Sequence, residues 1–275
     1  MITDRPRISC STASMYHLPL PMVLRIIQDA GYDGAELVVT PIMLLQQRGI
    51  TQRNVLRVGL PILSIHPPLL RFPRWPRSQL GGMVYVVAAA RDFGAELVVI
   101  HAPKSYSLTT PRAQQYIAAI DIVRELAASN NITIGLETTQ KPIDHPPRLF
   151  DDMTAFLEFT DAHALGVTFD TCHAAANQDD IVAMVERIGQ RLGNVHFSDC
   201  TKVGDARPHT HRFPGSGNTS DLMAGVAALQ RSQYRGMITL EISPTELLLL
   251  SPRQLVKQLS AAREYVVQAL ADGQV

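Results

Sequence analysis

Residues 96–101 read ELVVIH: a glutamate, four consecutive apolar side chains and a closing histidine. A strand with one wet face alternates apolar and polar residues. An unbroken run such as Leu97–Val98–Val99–Ile100 suits a strand covered on both faces, as in a parallel sheet under helices. On either side of it, residues 79–93 and 111–129 show helical spacing. The same unit of short apolar run and longer helical segment recurs along the chain. Strands are expected at 7–11, 34–39, 61–66, 96–101, 133–137, 166–170, 194–198 and 237–241. Helices are expected around 21–30, 52–58, 79–93, 111–129, 150–160, 179–191, 220–230 and 252–271.

Strict alternation of this kind builds either an open doubly wound sheet or a closed barrel. Eight complete units favour closure. The open alternative calls for a glycine-rich turn after the first strand, and residues 10–16, CSTASMY, contain no glycine. The expected fold is a single (β/α)8 TIM barrel spanning residues 1–275, with its active site at the C-terminal rim of the strands.

Composition agrees with that size and limits the function. The chain has 275 residues, 46% hydrophobic and 18% charged, which supports a large core and excludes extensive disorder. Lys and Arg number 25, as do Asp and Glu, so no broad basic surface for nucleic acid is expected. Three scattered cysteines, Cys10, Cys172 and Cys200, do not form a disulfide framework. The N-terminal segment MITDRPRISC lacks the apolar stretch of a signal peptide. The apolar runs fall well short of the roughly 18 residues that suggest a membrane span. A cytoplasmic location is the expectation.

The polar residues sit where the apolar runs stop. The second strand ends near Glu36, the third in His66, the fourth in His101 and the fifth in Glu137. The sixth ends in Asp170, followed by His173; the seventh carries His196 and then Asp199; the eighth ends in Glu241. In a parallel barrel all these ends share one rim. One histidine closing a strand is more often a hydrogen-bonded core residue than a ligand. Carboxylates closing apolar strands are another matter, because a buried charge must be paired or bound to a metal. Glu137, Asp170 and Glu241 do so with imidazoles between them and no matching Lys or Arg at the strand ends. A divalent cation, Mn²⁺, Mg²⁺, Co²⁺ or Zn²⁺, is the expected cofactor.

These residues carry a family likeness. GYDGAEL (31–37), SIHPP (64–68), VIHAP (99–103), LETT (136–139), FDTCHAA (169–175), NVHFSD (194–199), HTHRFPGSGN (209–218) and LEIS (240–243) together resemble the xylose isomerase-like barrel superfamily over nearly the whole chain. That superfamily joins sugar isomerases and epimerases with the endonuclease IV type of abasic-site endonuclease. The isomerase branch implies one metal held by Glu137, Asp170, His196 and Glu241. It also implies substrate contacts from His173, Arg212, His66 and His101, with Glu137 and Glu241 as the proton-transferring pair. Such a site would stabilise an enediolate from a small carbohydrate substrate. The endonuclease branch implies up to three zinc ions on His66, His101, Glu137, Asp170, His173, His196, His209, His211 and Glu241. There this chain departs from the family, with His209-Thr-His211 where an Asp-x-His is usual. Dehydratase or lyase chemistry on a related substrate, and a metal-binding protein without turnover, are the lesser alternatives.

Other features read two ways. The segment LLRFPRWPR (69–77) offers Arg71, Arg74, Arg77, Phe72 and Trp75 as a lid over the rim, or as a Pro-stiffened surface loop. GSGN (215–218) offers backbone N–H groups to an anion, or a turn that needs glycine. Lys104 reads as solvated, Cys172 and Cys200 as small filler near the site, and His17, His145 and His163 as ordinary surface or loop residues. Leu255, Leu259, Ala262, Val266, Ala269 and Leu270 form an apolar stripe on the last helix. A core-facing stripe and a contact with a second copy of the chain look the same in this pattern.

Overall fold

Strand β10 (Met237–Leu240) pairs with β1 (Arg7–Ser11) from Arg7↔Met237 to Cys10↔Leu240, and this seam closes the sheet on itself. The other barrel strands are β2 (Gly34–Val38), β3 (Ile62–His66), β4 (Leu97–His101), β5 (Thr133–Glu137), β6 (Gly166–Asp170) and β7 (Leu192–Phe197). Around the wall they run β1-β10-β7-β6-β5-β4-β3-β2, all in parallel. The computed structural model describes residues 5–45, 48–70, 72–143, 145–201, 208–219 and 221–273.

The wrapping helices are α1 (Leu20–Asp29), α3 (Arg48–Val58), α4 (Gln79–Phe93), α5 (Pro111–Ala128), α6 (Met153–Ala162), α8 (Ile181–Ile188), α9 (Leu222–Arg231) and α10 (Pro252–Asp272). Local chemistry sets several of their ends. Ser78, Thr110 and Asp180 each accept a backbone N–H in the first turn of α4, α5 and α8, and Gly94 stops α4 in the left-handed region. The last helix buries the expected stripe, with Leu255 and Leu259 fully covered. None of the described helices is long and apolar enough to cross a membrane.

The eight expected strands match the barrel strands to within two residues. Among the described residues, three elements besides the short 3-10 turns go beyond the expectation. Two are short helices following strand ends, α2 (Pro41–Leu45) and α7 (Thr171–Asn177). The third is an antiparallel hairpin, β8 (Asp199–Thr201) with β9 (His209–Arg212), added after β7. The helix expected from 150 begins at Met153, because a 3-10 turn, Leu149–Asp151, precedes its Asp152 cap. Ser220, the expected first residue of the next helix, lies outside the described residues.

Inside the barrel the side chains form layers. Leu63, Leu97, Val99 and Met237 make an apolar floor. Beside it lies a fully buried polar group that includes Ser9, Glu36, Ser64, Asn194 and Thr239, joined by the Ser9–Thr239, Thr239–Asn194 and Ser64–Glu36 hydrogen bonds. The next step up reaches the strand ends and their carboxylates and imidazoles.

Candidate metal centre

Parallel register brings the strand-end residues together. His101 lies beside Glu137 across the β4–β5 ladder, and Asp170 beside His196 across β6–β7. Glu241 follows the last residue of β10 and is buried. Donor atoms of Glu137, Asp170, His196 and Glu241 all lie within 4.8 Å of one another. His196 Nδ1 stands 3.2 Å from Glu137 Oε1 and 3.0 Å from Glu241 Oε2. His66, His101 and Glu137 form a second such group, with His101 Nε2 3.0 Å and His66 Nε2 3.6 Å from Glu137 Oε2.

The arrangement fits a divalent cation on its donor chemistry. Among the described residues, the carboxylates of Glu36, Glu137, Asp170 and Glu241 pair only with imidazoles; no Lys or Arg reaches them. Asp170 Oδ1 accepts the His173 N–H at 2.9 Å, while the buried Oδ2 has no hydrogen-bond partner. His66 directs Nδ1 to the Pro67 carbonyl at 2.6 Å, and His173 directs Nδ1 to the Thr138 carbonyl at 3.0 Å. When those nitrogens carry the proton, each Nε2 keeps a free lone pair, which a ligand requires.

Electrostatics follow from the same crowding. Burial works against charge on every group here, yet His101 and His196 hold the Glu137 carboxyl well below the usual carboxylate range. His196 likewise holds Glu241 down. Burial would lower the imidazoles, but Glu36, Glu241 and Glu137 raise His196 well above its ordinary value. Glu137, Glu36 and Glu241 overcome burial at His66 and bring it to about 8. His173 is also raised, burial being outweighed by Asp170 and Glu137. Protons on His66, His173 and His196 thus offset the buried carboxylates; a divalent cation at the same point would fill the same role.

The rim beside the tetrad is built by α7 and the hairpin. Asp170, Cys172, His173 and His211 bring donor atoms within 4.8 Å of one another. His211 Nδ1 lies 3.5 Å from Cys172 Sγ and 3.3 Å from Ser198 Oγ, and its ring meets that of His173 edge-on at 5.4 Å. Burial raises the Cys172 thiol well above its ordinary value, in keeping with filler and not a nucleophile. Arg212 Nη1 donates to Thr201 Oγ1 at 3.1 Å, and Nε lies 3.5 Å from Glu246 Oε1. His209 is exposed at the hairpin edge and belongs to none of the donor groups among the described residues. Its neighbour His211 has φ +56°, which breaks the two-residue alternation that would otherwise put both imidazoles on one face.

Two of the loops find partners within the protein. The N–H groups of the glycine turn already have their anion: the Asp199 carboxylate accepts from Gly215 at 3.0 Å and Gly217 at 2.9 Å. In the loop after β3, Trp75 packs against Tyr85 of α4 at 5.5 Å and Phe72 at 6.1 Å, so the aromatic pair leans on the barrel's outer shell. Arg71 lies outside the described residues.

Sequence reasoning placed Glu36 near a strand end but gave it no role. It is fully buried, and Oε2 lies 3.2 Å from His196 Nε2 and accepts from Ser64 Oγ at 2.9 Å. A glutamate in the middle of the apolar run GAELV was the available signal.

The chain is a closed parallel βα barrel whose strand ends bring carboxylates and imidazoles together at the C-terminal rim, where barrels of this class carry their active sites. The family model described as xylose isomerase-like TIM barrel matches residues 24–264, and the chain belongs to that family. An uncharacterized protein of Mycobacterium leprae is 26% identical over 287 residues, spanning 95% of this chain and 98% of the relative. Among solved structures, D-allulose 3-epimerase from Methylomonas sp. in complex with D-allulose superposes with a TM-score of 0.72 at 18% identity, covering 97% of this chain and 98% of that one. The IOLI protein with a bound zinc atom gives a TM-score of 0.73 at 16% identity, covering 97% and 98%.

Proposed function

We propose that this protein is a divalent-metal-dependent isomerase or epimerase acting on a sugar, sugar acid or sugar phosphate. The observation that carries the reading is that Glu137 and Glu241 reach the same nitrogen, His196 Nδ1, from strands separated on the wall by β6 and β7. Two carboxylates thus face one point from two sides. The D-allulose complex of the Methylomonas epimerase, with the same barrel, supports the substrate class.

Glu137, Asp170, His196 and Glu241 would hold the cation, and the zinc in the IOLI structure supports a metal in this fold. When bound, the cation would supply Lewis acidity to the substrate's oxygens. The chain's own work is proton transfer. A C–H beside a carbonyl is a very weak acid, so the base must be ionised and within reach. Glu137 and Glu241 are both held in the ionised form at neutral pH. One takes the proton, and the C–H electron pair moves toward the carbonyl oxygen. Epimerisation follows when the other glutamate passes a proton drawn from solvent to the opposite face of the same carbon, and the first returns its proton to solvent. Isomerisation follows when the first glutamate passes the proton to the neighbouring carbon while the hydroxyl proton shifts between the two oxygens. His173, His211 and Arg212, on the rim, would contact substrate oxygens.

The test is exchange of substrate α-protons with D₂O across a ketose and aldose panel, read by NMR. Glu137→Gln and Glu241→Gln should slow exchange by about 100-fold or more. Exchange at the wild-type rate in both variants would sink the reading.

The second donor group, His66, His101 and Glu137, favours a second reading: a multinuclear zinc phosphodiesterase acting at abasic sites. Metal content of protein purified without chelator separates the two. About one metal per chain supports the isomerase reading, and about three zinc ions support the other.

A further inference from the structure

The two nitrogens of His196 face opposite surroundings. Nδ1 looks up at Glu137 and Glu241, 3.2 and 3.0 Å away. Nε2 looks down and across the barrel to Glu36 Oε2 at 3.2 Å. Strands β2 and β7 are not neighbours on the wall, since β1 and β10 lie between them, so this contact exists only in the interior. All of these groups are buried, Glu36 and His196 completely.

The partners of Glu36 fix it as an acceptor. Ser64 Oγ donates to Oε2 at 2.9 Å, and Asn194 Nδ2 approaches the same oxygen at 3.5 Å. The amide of Asn194 is itself oriented: its Oδ1 accepts from Thr239 Oγ1 at 2.8 Å, and Thr239 is bonded in turn to Ser9 Oγ at 2.7 Å. A chain of hydrogen bonds from β1 through β10 and β7 thus turns an N–H toward Glu36.

We infer that Glu36 is a positioning residue that acts through His196: it accepts the Nε2–H hydrogen bond, locks the ring, and so leaves the Nδ1 lone pair aimed at the point where Glu137, Asp170 and Glu241 converge. This rests on the metal centre proposed above. A neutral imidazole carries one N–H. With that proton on Nε2, the ring donates to Glu36 and Nδ1 is free to act as a ligand. With it on Nδ1, the Nε2 lone pair would face the carboxylate of Glu36 in a region of low dielectric, an unfavourable pairing of two acceptors. The carboxylate behind the ring also makes the imidazole a stronger donor. Glu36 need touch neither metal nor substrate to do this.

The test is affinity for Co²⁺ alone, measured by chelator competition on the full chain, with the visible Co²⁺ spectrum as a second readout. Glu36→Gln should weaken binding about 10- to 100-fold and alter the spectrum. In a His196→Gln background the same substitution should change affinity less than about twofold, because its route of action is gone. Equal losses in both backgrounds would mark Glu36 as merely structural and overturn the inference, as would unchanged affinity in the wild-type background. If Glu36→Gln fails to fold, Glu36→Asp keeps the charge but withdraws the oxygen from Nε2. Weakened binding there supports the inference and wild-type affinity overturns it. If His196→Gln itself binds Co²⁺ as tightly as wild type, the tetrad is not the metal centre and both readings fall; a loss there with no effect at Glu36 overturns this inference alone.

Discussion

Asp199 accepts the backbone N–H of Gly217 at 2.9 Å, so a fully covered carboxylate at the start of the hairpin, two residues past barrel strand β7, pins a turn 18 residues further along the chain. The same carboxylate takes the N–H of Gly215 at 3.0 Å and of Cys200 at 2.7 Å. The hairpin that carries His211 and Arg212 ends at this anchor.

Loosening that anchor should affect the rim more than the barrel. Asp199→Asn replaces a carboxylate that accepts several N–H groups with an amide that accepts fewer. An expected cost of about 1–3 kcal/mol follows, with a raised KM and a smaller change in kcat. Gly217→Ala should be worse, because a Cβ there would collide with Asp199 Oδ1 and the Cys200 carbonyl. Thermal melts and steady-state kinetics of the two variants check this; wild-type behaviour in Gly217→Ala would contradict it.

The barrel interior is tight at another glycine. A Cβ on Gly135 would lie 2.5 Å from Thr168 Oγ1 of the neighbouring strand. Gly135→Ala should therefore cost about 1–3 kcal/mol by overpacking. Since Thr168 Oγ1 has no hydrogen-bond partner, adding Thr168→Ala should restore most of that loss. A double variant no more stable than Gly135→Ala alone would show that the strain lies elsewhere.

His66 makes the metal-free protein sensitive to alkali. Its folded-state value is about 8 against an ordinary 6.5, so its contribution to stability is fully present below about pH 6.5 and lost as pH rises through about 8. The shift corresponds to about 2 kcal/mol. Denaturant unfolding of chelator-treated protein at pH 6 and pH 9 should show the loss, and His66→Gln should remove most of it. A pH dependence unchanged in His66→Gln would assign the effect to another group.

Trp75 belongs to the outer packing. Trp75→Ala should lower thermal stability, since the ring covers Gly82 and meets Tyr85. Co²⁺ affinity should stay as in wild type. A change in metal affinity with no change in melting temperature would return the loop to the site.

Much of the architecture can be read along the chain because a parallel barrel strand is an unbroken apolar run, and a charged or imidazole residue that stops the run stands out. That is why Glu137, Asp170 and Glu241 were visible in the sequence, and with them the rim. Glu36 shows the limit. Its partner His196 lies 160 residues away on a strand that does not adjoin its own, and nothing local in GAELV indicates that meeting. The hairpin was hidden because HTHR is polar and short, and its pairing depends on Asp199–Thr201. His209 shows a third limit: period-two spacing joins it to His211 on paper, and one left-handed residue separates them.

Closure of the barrel has a consequence for any piece of it. Glu36, His66, His101 and Glu137 all come from the first five strands, while Asp170, His196 and Glu241 come from the last three. Cut between β5 and β6, the chain would leave one fragment with Glu137 and Glu36, and another with the three remaining residues of the proposed centre. Neither half would own the centre. A cation that binds with full strength therefore certifies that both seams, β1 to β10 and β5 to β6, are shut in the same molecule.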